Sequence, residues 1–329
     1  MNVLFIGGTG IISTAITKLA HKKKISLTLL NRGNRSKYVP SGVTTLTCDI
    51  NNESEVKALI QDKFYDVVVN FIAFHPSEVE RDIRLFSGKT NQYIFISSAS
   101  AYQKPLLHYK ITESTPLHNP YWDYSQNKIL CEHTLMNAYN QSGFPVTIIR
   151  PSHTYGDFYV PLALSGEKGS YSVIQRMLDG KPVIVHGDGL SLWTFTHSTD
   201  FAKAFVGIMG NPHALGEAIH ITSDETVTWN DAYQAIGKVL GVTPNIVYIP
   251  STTIEKLYPA AKGHLLGDKA HSVVFDNSKI KRLVPGFTAK VRFDQGIRET
   301  LNFLLSHPEF QIPDPEFDTW TDDVVSKFS

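Results

Sequence analysis

Tyr124 and Lys128, in the run Tyr124-Ser125-Gln126-Asn127-Lys128, are the pair with the plainest chemistry in this chain. Residues four apart share one helix face, so the ammonium would lie near the phenol. A free tyrosine titrates near ~10, and a fixed cation beside it favours the phenolate. A phenol drawn toward neutral pH can take or give the proton that accompanies hydride transfer at a carbinol. Any exposed helix can carry this spacing by chance, so the pair needs partners. One is Ser97-Ser98-Ala99-Ser100-Ala101-Tyr102, which follows an apolar run and so sits at the carboxyl end of a strand. Open α/β sheets bind ligands there, and a serine hydroxyl would hold the oxygen that Tyr124 protonates.

These side chains need a scaffold, and the first twenty residues supply its start. Asn2-Val3-Leu4-Phe5-Ile6 reads as a buried strand, Gly7-Gly8-Thr9-Gly10 as a turn, and Ile11 to Ala20 as a helix by its apolar spacing. That order leaves free backbone N–H groups and a positive helix end where a phosphate can sit. Glycine lets a pyrophosphate approach the main chain, so a dinucleotide is expected. The second strand, Ile25 to Leu30, ends in Asn31-Arg32-Gly33 with Arg35 and Lys37 beyond. A carboxylate here would bind both ribose hydroxyls and repel a 2′-phosphate. Asn31 is neutral and Arg32 suits a phosphate, so the cofactor is expected to be NAD(P), leaning toward NADP.

Strand and helix signals alternate over the next 120 residues. Strands are expected at Val43 to Cys48 (closed by Asp49), Tyr65 to Phe71, Asn91 to Ser97 and Pro145 to Arg150. Between them fall helices at Glu53 to Gln61, a brief one around Val79 to Phe86, and a long one within Trp122 to Ser142. This rhythm means βαβ crossovers and a doubly wound parallel sheet, an α/β fold. Beyond Arg150 it changes: Pro151 to Lys168 looks like loop, with helices at Tyr171 to Leu178, Asp200 to Met209 and Trp229 to Leu240. Strands are expected at Gly180 to Val185, Ala218 to Ile221 and Ile246 to Ile249, without a linker or repeat. A smaller C-terminal α/β lobe docked on the first, with a crevice between, is expected.

Composition narrows the partners. The 329 residues carry 31 basic and 31 acidic side chains, a balance that argues against a nucleic-acid or membrane-surface binder. No apolar stretch approaches the ~20 residues of a membrane helix, and the apolar N-terminal run lacks a basic segment before it. Two cysteines, Cys48 and Cys131, support neither a disulfide framework nor a thiolate zinc site. The histidines lack ligand spacing, so no metal is expected. A cytoplasmic protein acting on a small molecule is the expectation.

Together these segments resemble the extended branch of the short-chain dehydrogenase/reductase superfamily, the NAD-dependent epimerase/dehydratase family. Val3 to Ser13 is similar to its glycine motif, Phe95 to Tyr102 to its catalytic-serine strand, and Tyr124/Lys128 to its YxxxK pair. Arg150 to Gly156, Gly187-Asp188-Gly189 with His197 to Asp200, and Asp276 to Lys279 resemble later family segments. The resemblance covers nearly the whole chain and implies a Rossmann-type domain over residues 1–155, to which segments near 194–223 return. Residues 156–329 would form the substrate lobe. It implies Tyr124 as acid/base, Lys128 as its tuner and a ribose contact, and Ser98 as the substrate-orienting serine. It further implies that Gly7, Thr9, Gly10, Ile11, Ile12, Asn31, Arg32, Asp49, Ile50, Phe71, Ala73, Ser97, Lys128, Pro151 and His153 hold the cofactor. Ser100, His153 and Trp193 would contact a sugar-like substrate, and a homodimer is implied.

The departures shape the rivals. Ser13 replaces the third glycine of the loop, so its hydroxyl must be accommodated or the helix must stand off. Trp193 stands where many nucleotide-sugar members carry an arginine for the diphosphate, removing a charge-assisted contact. It would stack on a ring or pack in the core. The leading expectation is an epimerase/dehydratase-type oxidoreductase on a sugar or nucleotide-sugar carbinol. An NADPH-dependent carbonyl reductase is the nearer alternative, and an RNA-binding protein on the same fold is the alternative of another class.

Overall fold

Seven short runs, most of them rich in Val, Ile, Leu and Phe, pair side by side into one parallel sheet, seen in a computed structural model that describes residues 1–328, with Ser36 described by its backbone alone. They are β1 (Asn2–Ile6), β2 (Ser26–Asn31), β3 (Thr44–Thr47), β4 (Val67–Asn70), β5 (Tyr93–Ile96), β6 (Val146–Pro151) and β7 (Ala218–Ile221). The order is β7-β6-β5-β4-β1-β2-β3, with every pairing parallel. The winding reverses between β1 and β4, and ligands bind at such a switch point.

Alternation along each strand splits the core into two layers. Val3, Phe5, Leu27, Leu29, Val67 and Val69 face one side, beneath α1 (Ile11–Lys22) and the helix Ser198–Ile208. Leu4, Ile6, Leu30, Val68 and Phe95 face the other, beneath α2 (Glu53–Ile60), α3 (Pro76–Phe86) and α4 (Asp123–Ser142). Both faces are covered, which is why the strands read as continuous apolar runs. α3 is longer than its apolar residues suggest. Pro76 occupies its first turn and Glu78 accepts the His75 N–H at 2.8 Å, so the helix begins before Val79.

Segment 152–197 adds no strand to the seven-stranded sheet, but its first part is not all loop. His153–Tyr155 pairs in parallel with Phe195–His197, and Ser198–Ile208 then packs against α1 before β7 joins β6. The remaining chain builds a second core around Trp193, Trp229, Phe195 and Phe293, with Trp193 and Trp229 ring centroids 5.2 Å apart. Thr228 caps Trp229–Leu240 by accepting the Asp231 N–H.

Helix α4 carries a polar stripe on its sheet-facing side. Tyr124, Lys128 and Glu132 are spaced four apart, and the inner two are buried. Glu132 accepts from Arg150 Nε at 2.9 Å and Nη2 at 2.5 Å, and also from the Ser97 hydroxyl. This two-pronged pair locks α4 onto β5 and β6. Glu132→Ala strands the Arg150 charge in the core and is expected to cost about 3–5 kcal/mol in urea unfolding; a loss under about 1 kcal/mol would show the pair to be dispensable.

Candidate active site

At the carboxyl ends of β1, β2 and β3 a groove of about 570 Å³ opens, lined by Gly7, Thr9, Gly10, Asn31, Arg32, Asp49, Ile50 and Phe71. Gly7 and Gly8 adopt φ of +100° and +103°, which side-chain-bearing residues rarely do. A Cβ on Gly8 would lie 2.9 Å from the Leu29 side chain. The first intrahelical bond of α1 runs from Thr14 N–H to Gly10 O, so the amides of Ile11, Ile12 and Ser13 have no intrahelical acceptor. Their helix end faces a loop held open by glycine, the cradle a pyrophosphate requires. Ser13 is accommodated rather than excluded, because its Oγ accepts the Gly10 N–H at 2.8 Å.

Several expected cofactor residues act through the backbone or not at all. The Ile12 side chain packs on the core, and Ile11 lines a separate groove with Lys18 and Phe158. Ser97 is 1% exposed and gives its hydroxyl to Glu132, which removes it as a ligand contact. Ala73 is buried and offers its carbonyl to Lys128. Asn31 Oδ1 accepts the Gly33 N–H at 2.9 Å, leaving Arg32 and Arg35 as the charged groups at that end of the groove.

Beside this groove lies a cleft of about 430 Å³ between the two lobes, lined by Ser98, Ser100, Tyr124, Pro151 and His153. Lys128 lies beneath the place where the two meet. Its Nζ is 4.5 Å from the Phe74 ring, a groove residue, and 5.7 Å from the Tyr124 ring. It donates to Ala73 O at 2.7 Å and Ile96 O at 2.8 Å, so one of its three hydrogens is uncommitted. Burial pushes it down to about 8. The expected lowering of Tyr124 by Lys128 is not seen. Burial raises the phenol, Asp268 adds to the rise, and hydrogen bonding with Ser98 is what draws it back. The ammonium is turned to the strand-end carbonyls, and spacing on a helix could not show that.

Trp193 is corrected as well. Its indole is 1% exposed, packs on Trp229 and donates to His153 Nδ1 at 3.1 Å; it does not line the cleft. Indole N–H only donates, so Nδ1 accepts and the neutral ring carries its proton on Nε2. Burial, with Lys269 and His264 nearby, holds His153 well below its ordinary value and therefore neutral.

The opposite wall came with no sequence signal. It is the wide π-helical turn Leu265–Lys269, with His264 just before it, about 140 residues from Tyr124 in the chain. His264, Asp268 and Lys269 all line the cleft. Asp268 lies 3.8 Å from the buried Lys104 ammonium, and burial raises its carboxyl against the pull of Lys104 and Lys269. Lys269 donates to Leu162 O at 2.9 Å and is lowered by burial to about 8. Asn119 pins this wall to the serine turn, donating to Ser100 O and Gly267 O at 2.7 Å each. Gly263 packs flat on Trp122, where a Cβ would sit 2.2 Å from the ring. Among the described residues no cluster of metal-ligating side chains occurs, and no helix is long and apolar enough to cross a membrane.

Comparison with known proteins agrees with this geometry. The model of the NAD dependent epimerase/dehydratase family matches residues 3–222. A 2′-dehydrokanamycin reductase from Streptomyces kanamyceticus is 22% identical over 290 residues, covering 87% of this chain and 80% of that one. A UDP-N-acetyl-alpha-D-glucosaminuronate decarboxylase from Bacillus cytotoxicus is 25% identical, covering 92% and 97%. Among solved structures, a dTDP-glucose 4,6-dehydratase from Bacillus anthracis in complex with NAD superposes with a TM-score of 0.75 at 21% identity, covering 94% and 98%.

Two outcomes follow from the groove and the buried lysine. Gly8→Val forces a β-branched residue into positive φ and into Leu29, and is expected to weaken dinucleotide binding by about tenfold or more in a fluorescence titration. Unchanged affinity would remove the loop from the site. Lys128 is charged below about 8 and neutral above it, so dinucleotide affinity is expected to fall as pH rises through that value. Lys128→Met should bind weakly and lack this limb; a limb that persists belongs to another group.

Proposed function

Because the chain belongs to the NAD-dependent epimerase/dehydratase family, we propose that it is an NAD(P)-dependent oxidoreductase that works on a carbinol or carbonyl of a sugar-like substrate. The observation that carries this is the convergence of Ser98, Tyr124 and Lys128 where the glycine-loop groove meets the cleft. The glycines, the free amides of α1 and the volume of the groove fit a dinucleotide. A bound nicotinamide would supply the acceptor or donor of the carbon-bound hydrogen.

The chain's own groups do the rest. Ser98 donates to the substrate oxygen and holds it against the phenol. Tyr124 removes the hydroxyl proton on oxidation and returns it on reduction. Lys128, with its remaining hydrogen, holds the ribose and keeps positive charge beneath the phenolate as it forms. The aromatic and histidine lining of Trp122, Tyr159, His153 and His264 gives a sugar ring faces to stack on and donors to meet. His153 Nε2–H is one such donor.

Lys269 is the single lysine or arginine lining the cleft among the described residues. The cleft thus offers no guanidinium fork to a diphosphate, which favours a simple carbonyl reductase as the second reading. Zero net charge and the retained serine–tyrosine–lysine set speak against RNA binding. For the cofactor, Arg32 and Arg35 at the end of β2 favour NADP(H). The unpaired, buried thiols of Cys48 and Cys131 accord with the reducing cytoplasm. Leu130, half exposed on the outer face of α4, accords with association of two copies through that helix.

Tyr124→Phe is expected to lower turnover by roughly 10²–10⁴-fold with dinucleotide affinity retained, and full turnover would overturn the assignment. Denaturing the purified protein and analysing released nucleotide separates the readings. A tightly held dinucleotide fits epimerase or dehydratase chemistry, and an exchangeable one fits the reductase. Arg32→Ala with Arg35→Ala should weaken NADPH about tenfold or more while sparing NADH; equal loss of both would remove the NADP(H) preference.

A further inference from the structure

Three serines from two elements form a single hydrogen-bonded string that ends at Ser98, which lines the cleft with Tyr124. Ser125, fully buried on α4, donates its hydroxyl to Ser100 Oγ at 2.7 Å. Ser100 Oγ lies 2.8 Å from Ser98 Oγ, and the Ser100 N–H donates to the same Ser98 oxygen at 3.1 Å. A serine hydroxyl has one hydrogen to give and two lone pairs to offer. Ser125 spends its hydrogen on Ser100, so the Ser100 hydroxyl passes its own to Ser98. Ser98 Oγ then accepts twice, from an amide and from a hydroxyl, and its hydrogen is left for the cleft side. Tyr124 lines the cleft on that side, and Ser98 draws its phenol downward. Asn119, donating to Ser100 O, keeps the turn from rotating out of this register.

We propose that Ser125 and Ser100 are positioning residues that set the direction of this string and aim the single Ser98 hydrogen into the cleft, at the Tyr124 oxygen when the cleft is empty and at the substrate oxygen when it is filled. Every bond in the string runs toward Ser98, so each polarises the next and the hydrogen that Ser98 turns to the cleft is the stronger donor to a phenolate. Without Ser125 the Ser100 hydroxyl is free to turn, and Ser98 can point its hydrogen back at Ser100. The inference deepens the role of Tyr124 proposed above and rests on that reading. The other charged groups facing the phenol are Lys128 from its own helix and Asp268 from the π-helical wall, and neither touches Ser125 or Ser100 in the string.

The test reads Tyr124 directly and needs no substrate. In the full chain with tyrosine labelled at Cζ, the Tyr124 resonance is assigned by its loss in Tyr124→Phe and followed against pH. Ser125→Ala and Ser100→Ala are each expected to raise the ionisation midpoint, as is Ser98→Ala. Along a single string the effects do not add, so Ser125→Ala should be silent once Ser100 or Ser98 is alanine. Ser125→Thr, which restores a hydroxyl, should return the midpoint toward that of the parent. Midpoints that do not move, or shifts that add in the double variant, overturn the proposal. Dinucleotide binding reports whether each variant folds. Should Ser125→Ala fail to fold, Ser100→Ala, on a separate turn, with Ser98→Ala and the Ser98/Ser100 double variant, carries the same decision. Turnover is a separate readout: its absence in the parent would unseat the proposed reaction while the titration still judges the string.

Discussion

A buried ammonium has to be given oxygen atoms, and Lys128 finds its two at the ends of neighbouring strands. Ala73 O follows β4 and Ile96 O closes β5, so the lysine fixes one turn of α4 against the carboxyl edge of the sheet at the switch point. Tyr124 lies one turn toward the helix start and is thereby held at the mouth of the cleft. Glu132 lies one turn further on and is bound by Arg150 and Ser97. Two residues of one helix stripe thus set the angle of α4 twice over, Lys128 as a cation on carbonyls and Glu132 as a carboxylate on a guanidinium. The burial that makes these bonds obligatory also lowers the lysine to about 8, so the same constraint that builds the site tunes it.

The cleft needs a second wall, and that wall is tied to the first by few contacts. Asn119 spends both amide hydrogens on bridging the serine turn to the π-helical segment. Gly263 lets Trp122, which directly precedes α4, press flat against that segment. Asp268 and Lys269 are therefore carried to the cleft beside Tyr124 by a side chain and a ring that belong to the first lobe. Lys104 sits behind Asp268 as a buried counter-charge, and Lys269 adds a second cation on the cleft side.

His153 shows how packing decides a protonation state. Its place on the strand pair beside Phe195 buries the ring, Trp193 commits Nδ1 as an acceptor, and two cationic or cationisable neighbours disfavour a further charge. Trp193 thus acts on the cleft through another ring while contacting nothing in it. The second lobe's aromatic cluster is built around Trp193 and Trp229.

By itself the sequence determined the parallel sheet, the glycine cradle and the serine–tyrosine–lysine set, because each is written in local spacing. Strands covered on both faces show as apolar runs, the turn shows as Gly7-Gly8-Thr9-Gly10, and Tyr124 and Lys128 share a face at four residues. Family resemblance placed these in order, and the match over residues 3–222 agrees with it. Tertiary structure alone decided where the hydrogens point and which charges face the cleft. Lys128 turns to backbone carbonyls rather than to the phenol, and Ser97 is spent on Glu132 while Ser98 lines the cleft. Trp193 is in the core, and Asp268 with Lys269 arrives from a distant π-helical turn. Local spacing sets which face a side chain occupies. Its hydrogen-bond partner and its solvation depend on contacts far apart in the chain, and only the folded molecule brings those together.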